Sequence, residues 1–216
     1  MTITFRGTTA RLAAFAVPLT LVLNATPAQA ATCRVSPGSV TLGTRSKNVD
    51  FDVPSAKYWT LQISDINLYV YDVADGSDTV ATFSPQRFAN RDAGAFAVKV
   101  KRQNGDTVDS CSSSFTLKRA SSLSLSVKKS GKNRKVSGTL SRVNFGTGSK
   151  QWQTMAGQSV SIRYLNGKGE WVTAKTVKTS SKGTFSSTVA LGKHRWKAVW
   201  AGSSTTGAKT SGTVTR

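Results

Sequence analysis

Hydrophobic and polar residues alternate along most of the chain after residue 31, as they do in a β-strand with one buried face. Glycine-containing turn sequences such as Asp75-Gly76 and Asn166-Gly167 separate the alternating runs. No window of a dozen residues has convincing helical periodicity, so the pattern predicts an all-β fold. The alternating runs are residues 49–53, 59–63, 96–100, 123–127, 160–164 and 185–191.

The first 30 residues have a different pattern. Two arginines precede an apolar stretch, residues 12–23, and an A-x-A motif follows at residues 28–30. The apolar stretch is shorter than the roughly 20 residues that a spanning helix needs, and Pro18 interrupts it, so we expect no membrane span. These features predict a secretory signal peptide, residues 1–30, that is cleaved after Ala30.

The chain has two cysteines, Cys33 and Cys111. An exported protein enters a compartment that permits disulfides, and an even pair is most simply one bridge. The alternative is a lipid-modified N-terminus at Cys33. The preceding Ala31 and Thr32 match a lipoprotein signal poorly, which favours the disulfide.

Charge divides the mature chain into two unequal halves. The whole sequence has 30 Lys and Arg against 10 Asp and Glu, a net charge of +20. Residues 31–118 hold 10 basic and 9 acidic residues, whereas residues 119–216 hold 18 basic residues and one acid, Glu170. With a polar linker at 119–122, we predict a near-neutral domain at 31–118 and a polycationic one at 123–216. The excess charge indicates an anionic partner.

Residues 136–202 contain a series of strand and turn motifs: Val136-Ser137-Gly138-Thr139-Leu140, residues 156–162, Trp171-Val172, Gly183-Thr184-Phe185 and residues 195–202. Their order resembles the bacterial Ig-like domains of secreted and cell-surface actinobacterial proteins. The resemblance implies a β-sandwich that acts as an adhesive, spacer or binding unit without catalytic machinery. Together with the strand pattern, it leads us to expect two Ig-like β-sandwich domains in tandem.

Residues for catalysis or metal binding are scarce. His194 is the only histidine and lies between two cations, so we expect neither an enzyme nor a zinc site, and no cofactor. Asp72, Asp75 and Asp78 surround one glycine, but their spacing does not follow a calcium-binding loop and no bidentate acid closes it. Calcium binding there and ordinary turn hydrogen bonds both stay open.

Clustered cations are the strongest functional signal. We expect a hairpin to expose the five cations of residues 128–135, and Arg195 and Lys197 to point outward from another strand. Cations at strand spacing match the repeating phosphates or carboxylates of a polymer. Trp196 and Trp200 are expected in a core, whereas Trp152 lies in a polar segment and is a candidate for aromatic contact with a ligand. The hairpin cations are Lys128, Lys129, Lys132, Arg134 and Lys135, and another group surrounds a second hairpin, Lys175, Lys178 and Lys182.

These features predict a non-catalytic protein that is secreted and associated with the cell wall. Its basic domain is expected to bind anionic polymers of the cell envelope or its surroundings. Teichoic-type phosphates and acidic polysaccharides fit that description. The alternatives are a structural spacer whose charge is a surface property, a protein-binding or inhibitory module, and a protein that binds extracellular DNA.

Overall fold

A computed structural model describes residues 31–146 and 151–216, so the predicted signal peptide lies outside the described residues. In those ranges the protein consists of nineteen β-strands and three short 3-10 turns, which confirms the all-β prediction. Over the same two ranges, none of the helical segments is long and apolar enough to span a lipid bilayer.

The first half forms two sheets that pack face to face. The larger has seven strands in the order β1-β9-β8-β4-β5-β6, with β2 also paired to β9, and the smaller pairs β3 with β7. The strands are β1 (Ala31–Thr32), β2 (Ser39–Leu42), β3 (Lys47–Asp50), β4 (Tyr58–Ile63), β5 (Leu68–Val73), β6 (Gly76–Asp78), β7 (Val80–Phe83), β8 (Gly94–Asn104) and β9 (Thr107–Arg119).

Three phenylalanines join the two sheets of this first core. The ring of Phe115 lies 5.6 Å from that of Phe51 and 5.7 Å from that of Phe83, between centroids. The strand expected over residues 49–53 ends at Asp50, because Asp52 pairs instead with Ser36 in an isolated bridge. Phe51 nevertheless keeps its predicted inward direction and is buried.

The predicted disulfide is confirmed. Cys33 and Cys111 are bonded, with their Cα atoms 5.7 Å apart. The bridge joins the start of the described chain to β9, beside the parallel pairing of Ala31 with Cys111. It therefore ties the two ends of the first half together, as the sequence indicated.

The second half is a β-sandwich of two five-stranded sheets. One sheet contains β10, β11, β12, β13 and β16, and the other contains β14, β15, β17, β18 and β19. The strands are β10 (Ser121–Leu123), β11 (Ser126–Ser130), β12 (Asn133–Val143), β13 (Trp152–Thr154), β14 (Ser159–Leu165), β15 (Trp171–Lys178), β16 (Thr184–Val189), β17 (Arg195–Trp200), β18 (Lys209–Thr210) and β19 (Val214–Thr215).

Trp196 and Trp200 are buried in the core between these sheets, as predicted. The strand expected over residues 123–127 is broken into β10 and β11. The break lies opposite Gly138, where a Cβ atom would collide with the carbonyl oxygen of Ser124 and with the ring of Phe185. Glycine at 138 thus makes room for both groups.

The segment between the halves is hydrogen-bonded, and Arg119 and Ser121 within it are buried. The backbone N–H of Arg119 donates to Thr205 O at 3.0 Å, and that of Ala120 donates to Leu42 O at 2.8 Å. Two side chains of the second half, Val143 and Phe145, belong to the first core. The polar sequence that suggested a linker at 119–122 is therefore part of the packing, while the division into two domains stays a prediction.

Arg119 is a buried cation at this junction. Its side chain is 3% exposed, and its Nη1 donates to Asn90 Oδ1 at 2.7 Å. Among the described residues its Nε has no hydrogen-bond partner. Burial, and secondarily the charge of Arg142, lowers the pKa of Arg119 to about 10. A cation removed from water without a counter-ion destabilises the folded state.

Replacing Arg119 by methionine should raise the free energy of unfolding by about 1 kcal/mol at pH 7, because methionine fills similar space without a charge. The folded state binds the guanidinium proton of Arg119 less tightly than the unfolded chain does. Wild-type stability should therefore rise as the pH increases above about 10, and the advantage of Arg119→Met should shrink there. Urea denaturation at several pH values measures both effects.

Arg119→Lys is the matched control, since it retains the charge and should bring no gain. A clear loss of stability in Arg119→Met would mean that the hydrogen bond to Asn90 outweighs the cost of burying the cation.

Candidate functional site

The predicted basic hairpin is present. Strands β11 and β12 are joined by Gly131 and Lys132, and Gly131 has φ 59°, the left-handed conformation that a two-residue hairpin turn requires. Lys128, Lys129, Lys132 and Lys135 are exposed. Arg134 is half-buried: its Nη1 donates to Asn133 O at 3.0 Å, and its Nε is buried without a partner among the described residues.

Strand register divides these five cations between two faces. Lys128 lies opposite Lys135, and Lys129 lies opposite Arg134. The neighbouring pair, Val127 and Val136, is buried in the core. Because side chains alternate along a strand, Lys128 and Lys135 point outward while Lys129 and Arg134 point to the other side, where Arg134 lies opposite the buried Val189. The cluster is thus not one continuous patch.

Each of these pairs places two positive charges directly across from each other. Like charges in directly opposed positions destabilise an antiparallel pair, by a few tenths of a kcal/mol to about 1 kcal/mol. Neither pair has an acidic neighbour on β16, whose residues opposite Arg134 and Lys135 are Val189 and Thr188. The hairpin therefore has an unfavourable electrostatic interaction that no acidic residue of the neighbouring strand offsets.

Arg195 and Lys197 lie on the other sheet. They alternate with the buried Trp196 and so point outward, as predicted. Lys197 lies opposite Arg163, which makes a third like-charged cross-strand pair. The Nζ of Lys197 stands 4.1 Å from the centroid of the Trp171 ring, a cation–π contact.

The sequence interpretation missed Arg163 and Trp171 as partners of this site. The alternation in β14 indicates that Arg163 points outward, but its position beside Lys197 depends on the pairing of β14 with β17. Trp171 reaches the same face through the pairing of β15 with β14.

The two basic surfaces are on opposite sides of the second sandwich. Val136 of the hairpin sheet and Trp196 of the other sheet both face the core between them. The outward side chains of the two sheets therefore point in opposite directions. The structure does not bring Arg195 and Lys197 together with Lys128 and Lys135, so they are two surfaces and not one.

Acidic partners are missing from the second half as far as the structure describes it. Glu170 accepts a hydrogen bond from Asn166 Nδ2 at 3.0 Å within a tight turn. The ion pairs found among residues 31–146 and 151–216 are Arg91–Asp92 and Arg102–Asp109, both in the first half. The cations on both surfaces are left without intramolecular counter-ions in these ranges.

The remaining hairpin cations and Trp152 are also accessible. Lys175, Lys178 and Lys182 are exposed around the turn that follows β15. Trp152 is 44% exposed on β13, opposite Val143. Contact of Trp152 with a ligand stays a prediction.

His194 has a packing role. Its ring lies edge-on to Tyr164, 4.9 Å between centroids, and its Nδ1 is 3.2 Å from Leu165 O. Both contacts anchor the start of β17 against β14.

The aspartates considered for calcium are not assembled into a site. Asp72 lies opposite Ser77 and accepts its hydroxyl hydrogen bond at 2.7 Å, while Asp78 lies opposite Tyr71 and so points to the other face of the hairpin. Over the described ranges, no three His, Cys, Asp or Glu side chains form a possible metal site. Asp72 therefore takes part in a cross-strand hydrogen bond of this hairpin, and calcium binding stays an open alternative.

No protein-family model and no curated protein matches this chain. Its fold is similar to solved structures of Ig-like and adhesion-type β-sandwiches. One is a tetra-tandem repeat from the extending region of a large adhesion protein, with 17% identity and a TM-score of 0.35, covering 86% of this chain and 49% of that one. This chain thus spans about half the length of that structure.

Two further structures have a similar fold. The chicken interferon gamma receptor alpha chain has 10% identity and a TM-score of 0.37, with 87% of this chain and 96% of that chain covered. The D00-D0 domain of intimin has 12% identity and a TM-score of 0.29, with 82% and 94% covered.

Proposed function

We propose that this protein is a secreted, non-catalytic binding protein whose second half holds anionic polymers of the cell envelope or its surroundings. The observation that carries the proposal is the set of directly opposed cation pairs, Lys128 with Lys135, Lys129 with Arg134 and Arg163 with Lys197. A phosphate or carboxylate bound between two such cations removes the repulsion that the isolated sheet must bear.

The spacing within each pair suits a single anionic group of a polymer. Residues directly opposite in an antiparallel sheet are about 4.5 to 5.5 Å apart between Cα atoms. One anionic group can therefore contact both long side chains of a pair. Lysine binds as a point charge without the planar fork of arginine, so the hairpin should accept phosphate and carboxylate polymers alike. The disulfide is compatible with an extracellular location for such binding.

Neutralising the outward pair should weaken binding strongly. We expect Lys128→Gln/Lys135→Gln to reduce retention of the full chain on immobilised poly(glycerol phosphate) about tenfold at 0.1 M salt. The slope of log affinity against log salt should fall by about 1.4 to 1.8, because two fewer counterions are released. Binding measured over a salt series gives both quantities.

Lys175→Gln/Lys178→Gln is the charge-matched control, because these exposed lysines have no cation directly opposite: their partners are Ile162 and Ser159. A smaller effect in the control supports a site at the hairpin. Equal losses in the two variants would mean that the charge acts as a general surface property, as in a structural spacer. Stronger retention by double-stranded DNA than by wall polymer would favour the nucleic-acid alternative.

A further inference from the structure

The outer face of the seven-stranded sheet concentrates tyrosines. Tyr58, Tyr69 and Tyr71 lie on β4 and β5, and the chain has four tyrosines in all. Val70 is buried in the core, so Tyr69 and Tyr71 on either side of it point outward. Tyr69 is 57% exposed, and its ring lies 5.8 Å from that of Tyr71. We call this surface the tyrosine face.

Strand register places a lysine two strands away from each of these tyrosines, in the same row of directly opposed residues. Tyr71 lies opposite Thr60, which lies opposite Lys101 on β8. The next row runs in the same way from Tyr69 through Gln62 to Lys99. With adjacent strands about 4.8 Å apart, the tyrosine and lysine of a row are about 10 Å apart at the backbone. The serines opposite Lys101 and Lys99 continue the rows with hydroxyls, Ser110 and Ser112.

The face is cationic. Lys99 and Lys101 are exposed and belong to no ion pair within the described ranges. The nearby Asp109 lies opposite Arg102, which binds it at 2.6 Å. That pair is on the other side of the sheet from Lys101, because neighbouring residues alternate. Asp78 reaches the face only at its edge, beside Tyr71.

The chemistry of the tyrosine face favours a carbohydrate over a protein. The centres of protein interfaces are depleted in lysine, whereas here two lysines stand in the middle of the sheet. The groups between them and the tyrosines are a threonine and a glutamine, which donate and accept hydrogen bonds. Tyrosine rings add flat apolar surface with little conformational freedom to lose.

We propose that the tyrosine face binds an acidic polysaccharide. Sugar rings stack on Tyr69 and Tyr71, and their carboxylates pair with Lys99 and Lys101. The hydroxyl groups of the sugar exchange hydrogen bonds with Gln62 and Thr60. This site is on the other half of the chain from the opposed cation pairs and does not depend on their function.

Removing the rings tests this proposal. The probe is oligogalacturonate, titrated into the full chain at 0.5 M salt, where the Debye length of about 4 Å screens most of the attraction between exposed charges. Tyr69→Ala/Tyr71→Ala should weaken binding about tenfold, in keeping with the loss of stacking contacts. Tyr69→Phe/Tyr71→Phe keeps the rings and should stay within about twofold of wild type.

Polyphosphate, which has charge but no rings, separates this site from the basic hairpin. Tyr69→Ala/Tyr71→Ala should leave polyphosphate retention at low salt unchanged, whereas Lys128→Gln/Lys135→Gln should leave the ring-dependent binding of oligogalacturonate unchanged. Each proposal can therefore fail without the other.

Two results would overturn the proposal. One is equal binding of oligogalacturonate by wild type and the double alanine variant. The other is self-association of the wild type in sedimentation, abolished by the same variant, without any binding of oligogalacturonate. The tyrosine face would then be an interface between copies of this chain.

Discussion

Replacing both cysteines, Cys33→Ala/Cys111→Ala, should lower the free energy of unfolding by about 4 to 5 kcal/mol. The bridge spans a sequence separation of 78 residues, and a cross-link over so long a loop removes much of the conformational entropy of the unfolded chain. Cys111 is 4% exposed, so alanine is preferable to serine at this position. A serine would bury a hydroxyl group for which the substitution brings no hydrogen-bond partner. Urea denaturation of residues 31–216 measures the change.

Wild-type protein with a reductant is the control, because it should lose the same amount with no change in sequence. A loss below about 1 kcal/mol in both samples would contradict the prediction. It would indicate that the unfolded chain is already compact enough for the bridge to restrict it little.

Trp196→Ala should cost about 3 to 5 kcal/mol of stability, as large-to-small changes of buried aromatic residues do. Trp196 is fully buried, and its ring lies 6.0 Å from that of Tyr164. Its Nε1 also donates to the backbone oxygen of Arg216 at 3.4 Å. Truncation removes the packing of the second core and leaves that oxygen without this donor.

Trp152→Ala is the matched control. Its side chain is 44% exposed, so the same substitution should cost less than about 1 kcal/mol. Similar losses in the two variants would contradict the assignment of Trp196 to the core.

Cys33→Ala/Cys111→Ala and Trp196→Ala also test whether the two halves of the chain unfold together. Val143 and Phe145 of the second half pack in the first core, and Phe145 N–H donates to Asn90 at 3.0 Å. We therefore expect one transition, with fluorescence and circular dichroism coinciding. Two separated transitions would show that the buried junction couples the halves weakly.

Much of the fold could be predicted from the sequence, because strand alternation and turn chemistry depend on residues that are close together in the chain. The hairpin at Gly131 and Lys132 follows from its turn residues, and the outward direction of Lys197 follows from its neighbours Trp196 and Ala198. The disulfide followed from cysteine number and the predicted export. The polar composition of the predicted linker gave no sign that part of it is buried, yet Arg119 and Ser121 continue the inward positions of Phe115.

The candidate sites could be predicted from the sequence only in part. Lys128 lies opposite Lys135 because a short hairpin joins their strands. Composition alone suggested one exposed cluster of cations, and the alternation of side chains was needed to divide that cluster between two faces. Arg163 and Lys197 meet only because β14 pairs with β17. The rows of the tyrosine face likewise depend on pairing among β5, β4 and β8.

The sequence by itself therefore determined that the protein is all-β, that its charge belongs to the second half, and which side chains leave each strand outward. Only the tertiary structure decided which outward side chains stand next to each other, such as Tyr69 beside Gln62 and Lys99. The reason is physical: alternation is a property of one strand, whereas register between distant strands is set by how both bury their inner faces in a shared core.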